Sequence, residues 1–454
     1  MPIESRNPAT GELVASFAAL DWPAIDGRLK RAAEVFPSWR ATPVADRARV
    51  LERAAARLEA DVARLARLMT VEMGKLVKPA QDEILKCARG CRYYAEHGAA
   101  FLVEHDVPTE AARSYVRYEP MGTVFAIMPW NFPFWQVFRF AAPALLAGNV
   151  AVLKHAPNVP QCALAIEEVF RGAGVPEGVF QSLLIELDHV PAILGDPRIH
   201  AVTLTGSDRA GRDVASRAGG ALKKTVLELG GSDPFIVTAS ANLDLAVTTA
   251  VKSRTINTGQ SCIAAKRFIV FEPIAEAFTS RFVAAMASLR VGDPLDPSTD
   301  IGPMARQDLV DALSAQVQDA VSRGARVVTG GSPAKGKGHF YPPTVLTDVP
   351  REARAYREEL FGPVAIVFRV KDVDQAIAVA NDTPYGLGAS VWTNDAAERD
   401  RFIAGIEAGQ VFVNAMVASD PRLPFGGIKT SGYGRELGEL GIHEFVNAKT
   451  VWVA

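Results

Sequence analysis

An α/β fold is predicted by three features of the chain. After Pro120, short β-rich runs alternate with helix-like segments, and those runs are almost unbroken in apolar residues. The length, 454 residues, exceeds what one hydrophobic core usually sustains, so two or three domains are expected. Nearly continuous apolar strands between helices imply a parallel sheet covered on both faces. Such sheets bind ligands beyond the carboxyl ends of their strands, which is where functional residues are sought.

Composition narrows the function classes. With 48% hydrophobic and 22% charged residues the chain reads as an ordinary globular protein rather than a disordered one. A net charge of -2, from 49 basic and 51 acidic residues, gives no broad attraction for nucleic acid or an anionic membrane, so neither is an expected partner. The start, Met1 to Pro8, lacks the basic beginning and apolar run of a secretory signal, and no apolar span reaches membrane length; a cytoplasmic location is the default expectation. Four cysteines, at 87, 91, 162 and 262, are too scattered for a disulfide framework. Cys87 and Cys91 are one helical turn apart and have metal-ligand spacing, but no second pair accompanies them. Core packing of a helix is the preferred role, and no metal is expected.

From Val50 to Met69 apolar residues recur near a 3.6 period with arginines between them, which predicts one amphipathic helix. A second helical pattern runs from about Gln81 to Phe101. Arg113 to Glu119 alternates polar and apolar, suiting an edge strand or hairpin arm. Strands are expected at Thr123–Met128, Asn149–Leu153, Val179–Ile185, Ala201–Thr205 and Thr225–Leu229, with helices at 160–171 and 209–218. A second α/β stretch follows Gly230, with strands at 266–271, 363–370, 389–392 and 410–414 and helices near 243–256, 274–289, 306–323, 372–381 and 395–406. No Gly/Ser linker separates the halves, so they are expected to pack together around a cleft. The last residues, 449–454, are β-like and suited to pair with the earlier edge strand or with a neighbouring subunit.

Several residues stand where chemistry is done. Asn257-Thr-Gly-Gln-Ser-Cys-Ile263 puts Cys262 in a glycine-broken polar turn, a neighbourhood that leaves a thiol accessible; it is a nucleophile or a small inert core residue. Thr205-Gly206-Ser207 ends an apolar strand and opens a helix, the geometry of a phosphate site and equally of a plain strand-to-helix turn. Gly172 to Gly178 is glycine-rich but precedes a strand, and is set aside. Glu228, in Val226-Leu-Glu-Leu-Gly-Gly231, is a carboxylate in an apolar strand end, where burial would raise its pKa and suit it to be a general base; the alternative is a side chain pointing to solvent. Asn131, in Pro129-Trp-Asn-Phe-Pro133, is a side-chain amide held between two prolines, as an oxyanion donor should be, or a turn-forming residue. Lys154 ends the next strand and could meet a ribose or phosphate oxygen or simply be a surface lysine.

Taken together, seven ordered stretches resemble the aldehyde dehydrogenase superfamily over essentially the whole chain. They are Pro129–Pro133, Leu153-Lys154, Thr205–Ser207, Leu227–Gly231, Asn257–Cys262, Glu358-Glu-Leu-Phe-Gly-Pro363 and Pro424-Phe-Gly-Gly-Ile-Lys-Thr-Ser-Gly432. The resemblance implies a Rossmann-type cofactor domain at 1–103 and 120–230, an α/β catalytic domain at 231–442, and a small β oligomerisation arm at 104–119 and 443–454. It also implies Cys262 as nucleophile, Glu228 as base and Asn131 as oxyanion donor, with Trp130, Lys154, Gly206, Ser207, Gly230, Glu359 and Phe361 at a nicotinamide cofactor. The implied reaction is NAD(P)-dependent oxidation of an aldehyde to a carboxylic acid through a cysteine thioester, by a homodimer or homotetramer. Family members that pass the acyl group to coenzyme A lack a base at the place of Glu228, so hydrolysis is favoured.

Two departures refine this. Arg139, eight positions past Asn131 in a largely apolar run, is aimed by the resemblance at the aldehyde's far end, where a guanidinium suits a carboxylate. With Ser419 and Phe425 at the same end, the chain is similar to short bacterial-type succinate-semialdehyde dehydrogenases; a structural ion pair is the alternative role for Arg139. Glutarate semialdehyde and neutral aliphatic aldehydes are the competing substrates, and a non-catalytic relative or a coenzyme A-acylating enzyme are more remote readings. Many NAD-preferring relatives carry a glutamate three residues after the lysine; Pro157 stands there, so NADP is expected to be used at least as well as NAD.

Overall fold

Burial of the apolar runs organises the chain into two large sheets. In this computed structural model, which describes residues 2–454, the first sheet runs in the order Gly432–Tyr433, Lys224–Glu228, Ile199–Thr205, Thr123–Met128, Val150–His155 and Phe180–Ser182. All neighbours are parallel except Gly432–Tyr433, which lies antiparallel on Lys224–Glu228 and faces Glu228 with Gly432. The chain enters in the middle at Thr123–Met128, runs outward to one edge, then returns to place Ile199–Thr205 on the other side. The strand order therefore reverses beside Thr123–Met128, and that opens a crevice at the carboxyl ends.

The second sheet is ordered Arg326–Thr329, Thr344–Thr347, Val364–Val370, Arg267–Phe271, Pro234–Val237, Gly388–Trp392 and Gln410–Val413, parallel except for the first pair. Pro234–Val237, near its middle, is buried at all four positions and is not anticipated by sequence. Four residues beginning with proline are too short to show a period. A third sheet joins Val446–Val453, Arg113–Pro120 and His105–Asp106. Among the described residues no helix is long and apolar enough to cross a membrane.

Three expectations are corrected. The single helix from Val50 to Met69 is two, Val44–Ala60 and Val62–Met73. Asp61 leaves helical geometry between them (φ -113, ψ 19), and its carboxylate pairs with Arg64; a short acid disfavours a helix interior, while the apolar face continues across the break. Arg113–Pro120 is the middle strand of its sheet, not an edge. The chain's own tail covers it, pairing residue by residue from Val446 against Pro120 to Val453 against Arg113. The strand expected at Val179–Ile185 is only Phe180–Ser182. A long helix at Trp22–Ala41, opened by Asp21 accepting from Ala24 N, is also unforeseen, its face toward the core carried by Ile25, Leu29, Ala32 and Trp39.

One helix positions the site. Trp135–Leu146 is buried along its whole length, and its first turn is held by Glu83, whose Oε1 accepts from the N–H groups of Phe134 and Trp135, both 3.0 Å away. The other oxygen of Glu83 forms a buried ion pair with Lys75. A carboxylate answering orphan N–H groups at a helix start is favoured by their dipoles. Glu83→Ala would leave both those N–H groups and the Lys75 cation uncompensated. It is expected to cost about 3–5 kcal/mol in urea denaturation, with part regained on adding Lys75→Met; an unchanged midpoint would contradict this account of the helix.

Candidate active site

The loop that carries Cys262 leaves helix Leu243–Thr255 through three successive left-handed residues, Asn257 (φ 53), Thr258 (φ 58) and Gly259 (φ 74). For a β-branched threonine this conformation is strained, on the order of 1–3 kcal/mol. At Gly259 a Cβ would lie 2.4 Å from the Gly362 backbone, so glycine is required there for space as well. The strain is held by side chains that read the loop's carbonyls. Arg254 donates to Gly259 O (2.7 Å) and Ala265 O (2.8 Å), and Lys266 donates to the carbonyls of Ser261 and Cys262, each at 2.7 Å. Both cations are buried, and burial lowers their pKa values, that of Arg254 to about 9.

Asn131 meets this loop from the other sheet. It lies just past the Thr123–Met128 strand, and its Nδ2 donates to Gln260 O at 3.0 Å while Gln136 donates to its Oδ1 at 3.1 Å. Asn257 in turn donates to Asn131 O (2.8 Å) and Gln260 O (3.1 Å). The Pro129–Pro133 turn is tied to the next strand by His155. Its Nδ1 accepts from Ala156 N, so Nε2 carries the proton and donates to Pro133 O at 2.9 Å. Burial keeps that imidazole neutral, its pKa lowered to about 4.

These residues open onto a cavity of about 350 Å³ at the carboxyl ends of the first sheet. Of the residues singled out by sequence, Trp130, Asn131, Gly206, Ser207, Gly230, Cys262, Glu359 and Phe361 line it, joined by Pro129, Gln136, Thr205, Leu229, Arg306 and Leu309. Trp130 and Phe361 meet edge to face at 5.8 Å, and the Arg306 guanidinium lies over Trp130. Glu359 is anchored between Gly231 N (3.1 Å) and Lys266 (3.2 Å), and a Cβ at Gly230 would come within 2.7 Å of its Oε2. Ser207 caps helix Asp208–Gly220 by accepting from Ala210 N, which leaves other first-turn N–H groups facing outward. A flat aromatic-walled slot beside a helix start and a glycine that admits close approach fits a dinucleotide. Lys154 lies apart, in a neighbouring groove of about 520 Å³ with Pro157, Asn158 and the acids Glu4, Glu186 and Asp188. Burial lowers the Lys154 ammonium to about 8, and both amide atoms of Asn158 are buried without a partner among the described residues.

Glu228 and Arg139 do not line the cavity but adjoin it through Thr205, which pairs in register with Glu228 and accepts from Arg139 at 3.3 Å. Arg139 forms a buried ion pair with Glu436 and stacks over Phe425 at 4.8 Å. Its guanidinium is therefore engaged by a carboxylate of the protein itself. Neither oxygen of Glu228 has a hydrogen-bond partner among the described residues. Burial first, then the nearby Glu436, pushes its carboxyl well above the ordinary range, while Arg139 pulls it down. Cys262 is partly exposed, whereas Cys87, Cys91 and Cys162 are buried. Burial of its sulfur nonetheless raises the thiol to about 12, against the pull of Arg139 and Lys266. Ser419 is elsewhere again, accepting from Lys86 Nζ (2.6 Å) and Trp135 Nε1 (3.0 Å). Lys266, Arg254, Gln136, Arg306 and Glu436 are not picked out by sequence reasoning. Each is an ordinary polar residue in its local stretch and acquires its place only from contacts distant in the chain.

Comparison with known proteins shows the family to which the chain belongs. The model of the aldehyde dehydrogenase family matches residues 1–451. A protein of Mycolicibacterium paratuberculosis named succinate-semialdehyde dehydrogenase (NADP(+)) is 55% identical over 459 residues, covering 100% of this chain and 97% of its own. One from Synechocystis, named a probable succinate-semialdehyde dehydrogenase (NADP(+)), is 54% identical with full coverage of both. Among solved structures, that of succinic semialdehyde dehydrogenase from Streptococcus pyogenes in complex with NADP+ superposes with a TM-score of 0.97 at 36% identity, over 99% of each chain. A structure of Gox0499, concerned with cofactor and substrate selection, gives 0.98 at 42% identity over the full length of both.

The raised thiol has a direct consequence. Below a pKa of about 12 the thiolate fraction grows tenfold per pH unit, so alkylation of Cys262 in the free protein should rise without levelling between about pH 7 and 10. A plateau at or below the ordinary cysteine pKa of about 8.5 would show that the fold activates the thiol outright.

Proposed function

Because the chain belongs to the aldehyde dehydrogenase family, we propose that it oxidises succinate semialdehyde to succinate, using NADP at least as well as NAD. One observation carries the reaction type: Cys262 and Asn131 share a single cavity, one residue removed from a buried carboxyl, Glu228, that has no structural partner among the described residues. Similarity at 55% identity over the whole chain to a protein named succinate-semialdehyde dehydrogenase (NADP(+)) supports the substrate. Pro157, standing where many NAD-preferring relatives carry a glutamate, supports NADP.

On this reading the Cys262 sulfur adds to the aldehyde carbon, and the oxyanion is met by the Asn131 amide and the Cys262 backbone N–H. Asn131 has two amide hydrogens, and Gln260 engages one. Trp130, Gly206, Ser207, Gly230, Glu359 and Phe361 would hold the dinucleotide, with Lys154 at its adenosine end. When bound, the nicotinamide supplies the hydride acceptor that converts the cysteine adduct to a thioester. Water then cleaves the carbon–sulfur bond, its proton passing to Glu228, and the acid departs as the thiol is restored. The carboxyl of Glu228 must first be ionised, and Arg139 is the cation that favours this. The presence of Glu228 favours hydrolysis over transfer to coenzyme A. The same reading takes 1–103 and 120–230 as the cofactor domain, 231–442 as the catalytic domain, and a cytoplasmic homodimer or homotetramer joined through the 104–119 and 443–454 strands. Support for the last is the half-exposed Trp452 on the tail strand.

Three kinetic outcomes are expected. Glu228→Gln should keep a rapid first turnover of NADPH formation and slow the steady state by about 10²–10⁴-fold; a proportional loss of both phases would place Glu228 before the thioester. Asn131→Ala should lower kcat by about 10²–10³-fold, and an unchanged kcat would remove it from the oxyanion site. Initial rates with NADP should equal or exceed those with NAD, and a large NAD preference would overturn the cofactor assignment.

A further inference from the structure

Lys266 has three ammonium protons and an acceptor for each. It donates to the carbonyl oxygens of Ser261 and Cys262, both at 2.7 Å, and pairs with Glu359 at 3.2 Å. The side chain is fully buried just before strand Arg267–Phe271. Burial opposes its charge, and Glu359 is the foremost of the groups that favour it. A buried cation is thus committed to two consecutive peptide groups, and one of them has chemistry to do.

The Ser261 carbonyl belongs to the peptide whose N–H is that of Cys262. No peptide bond among the described residues is cis, so this carbonyl and this N–H point in opposite directions. Lys266 Nζ and Ala264 N (3.2 Å) both lie on the Ser261 oxygen, which turns the Cys262 N–H away from them. That N–H donates to no group among the described residues. Backbone donors in a packed interior are normally paired, and this open one belongs to a residue that lines the cavity. The following peptide has no room to turn, because a Cβ at Gly231 would lie 2.6 Å from the Cys262 oxygen. An ammonium on a carbonyl oxygen draws electrons toward it and leaves the N–H of the same peptide more positive. Dry surroundings preserve that effect. Asn131 reaches the same loop at Gln260 O, but only the Cys262 N–H is joined to Lys266 through a shared peptide.

We propose that Lys266 is a positioning residue of the oxyanion site: its charge on the Ser261 oxygen fixes and polarises the peptide whose N–H, that of Cys262, meets the aldehyde oxygen. The inference rests on the reading of Cys262 as the nucleophile of an aldehyde oxidation. As the carbon–sulfur bond forms, the carbonyl π pair moves onto oxygen, and a donor already aimed and polarised needs no rearrangement. Lys266 acts through the peptide and does not itself touch the substrate.

The test compares Lys266→Met with the wild type, in the full chain at saturating NADP. First-turnover NADPH formation from succinate semialdehyde passes through the oxyanion and should slow about 10- to 100-fold. Alkylation of Cys262 by iodoacetamide forms no oxyanion and reports only the place and ionisation of the thiol; its fall should be smaller by a factor of about ten. In the Glu228→Gln background, Lys266→Met should shift the infrared stretch of an isotope-labelled acyl carbonyl on Cys262 to higher frequency, because a weaker donor polarises that carbonyl less. Lys266→Gln keeps a donor without the charge, should be slowed nearly as much, and carries the same comparison if Lys266→Met does not fold. Equal falls in first turnover and alkylation would reduce Lys266 to a prop for the loop and overturn the proposal. An unmoved carbonyl frequency or a full rate in Lys266→Gln would overturn it as well. A wild type that forms no NADPH from any aldehyde would overturn the reading of the enzyme itself, and this proposal with it.

Discussion

Two buried cations reading backbone carbonyls hold the geometry on which the rest of the site depends. Lys266 and Arg254 together engage Gly259, Ser261, Cys262 and Ala265, and they fix a loop that passes through three left-handed residues to bring Cys262 to the cavity. Strained backbone of this kind persists only when its surroundings over-determine it. Here the surroundings come from both sheets. Lys266 opens the Arg267–Phe271 strand of the second sheet, while Asn131, from the first, meets Gln260 on the loop. The same lysine reaches Glu359 on the cavity wall, so the loop and that carboxylate are set by one ammonium group.

The electrostatics follow from dryness. Packing pushes the Cys262 thiol and the Glu228 carboxyl toward their neutral forms, and Arg139 opposes both shifts. Glu436 neutralises Arg139 in part and also raises Glu228. The four groups therefore form one charge-coupled set in which any change in the Arg139–Glu436 pair alters the protonation of Cys262 and Glu228 together. Sequence inspection finds no histidine beside Cys262, and the structure places none among the residues lining its cavity.

Much of the frame was legible from local pattern. The first-sheet strands announce themselves as apolar runs, and the strand-end turns at Pro129–Pro133, Thr205–Ser207 and Leu229–Gly231 carry the residues that line the cavity, because a parallel sheet collects such ends on one side. What escaped has physical reasons. Pro234–Val237 is too short to display a period, and the break at Asp61 interrupts a helix whose apolar face continues across it. Arg113–Pro120 looks like an edge because it alternates, but the tail, which the sequence already offered as a partner for it, pairs on one side and His105–Asp106 on the other, so it lies in the middle. Lys86, Lys266 and Glu436 are unremarkable in their own stretches; only the fold sets Lys86 against Ser419 and Glu436 against Arg139. The alternative role for Arg139, an ion pair within the protein, is the contact it makes here.

The central claim is that this loop presents Cys262 as the atom that carries the acyl group while Glu228 serves the water that removes it. It is tested most directly by acid-quenching the Glu228→Gln enzyme during turnover with succinate semialdehyde and NADP, then locating any added mass by peptide mass spectrometry. The account predicts one succinyl group on the peptide containing Cys262 and none on those containing Cys87, Cys91 or Cys162. An unmodified Cys262 in an enzyme still forming NADPH, or acylation at another residue, would contradict it.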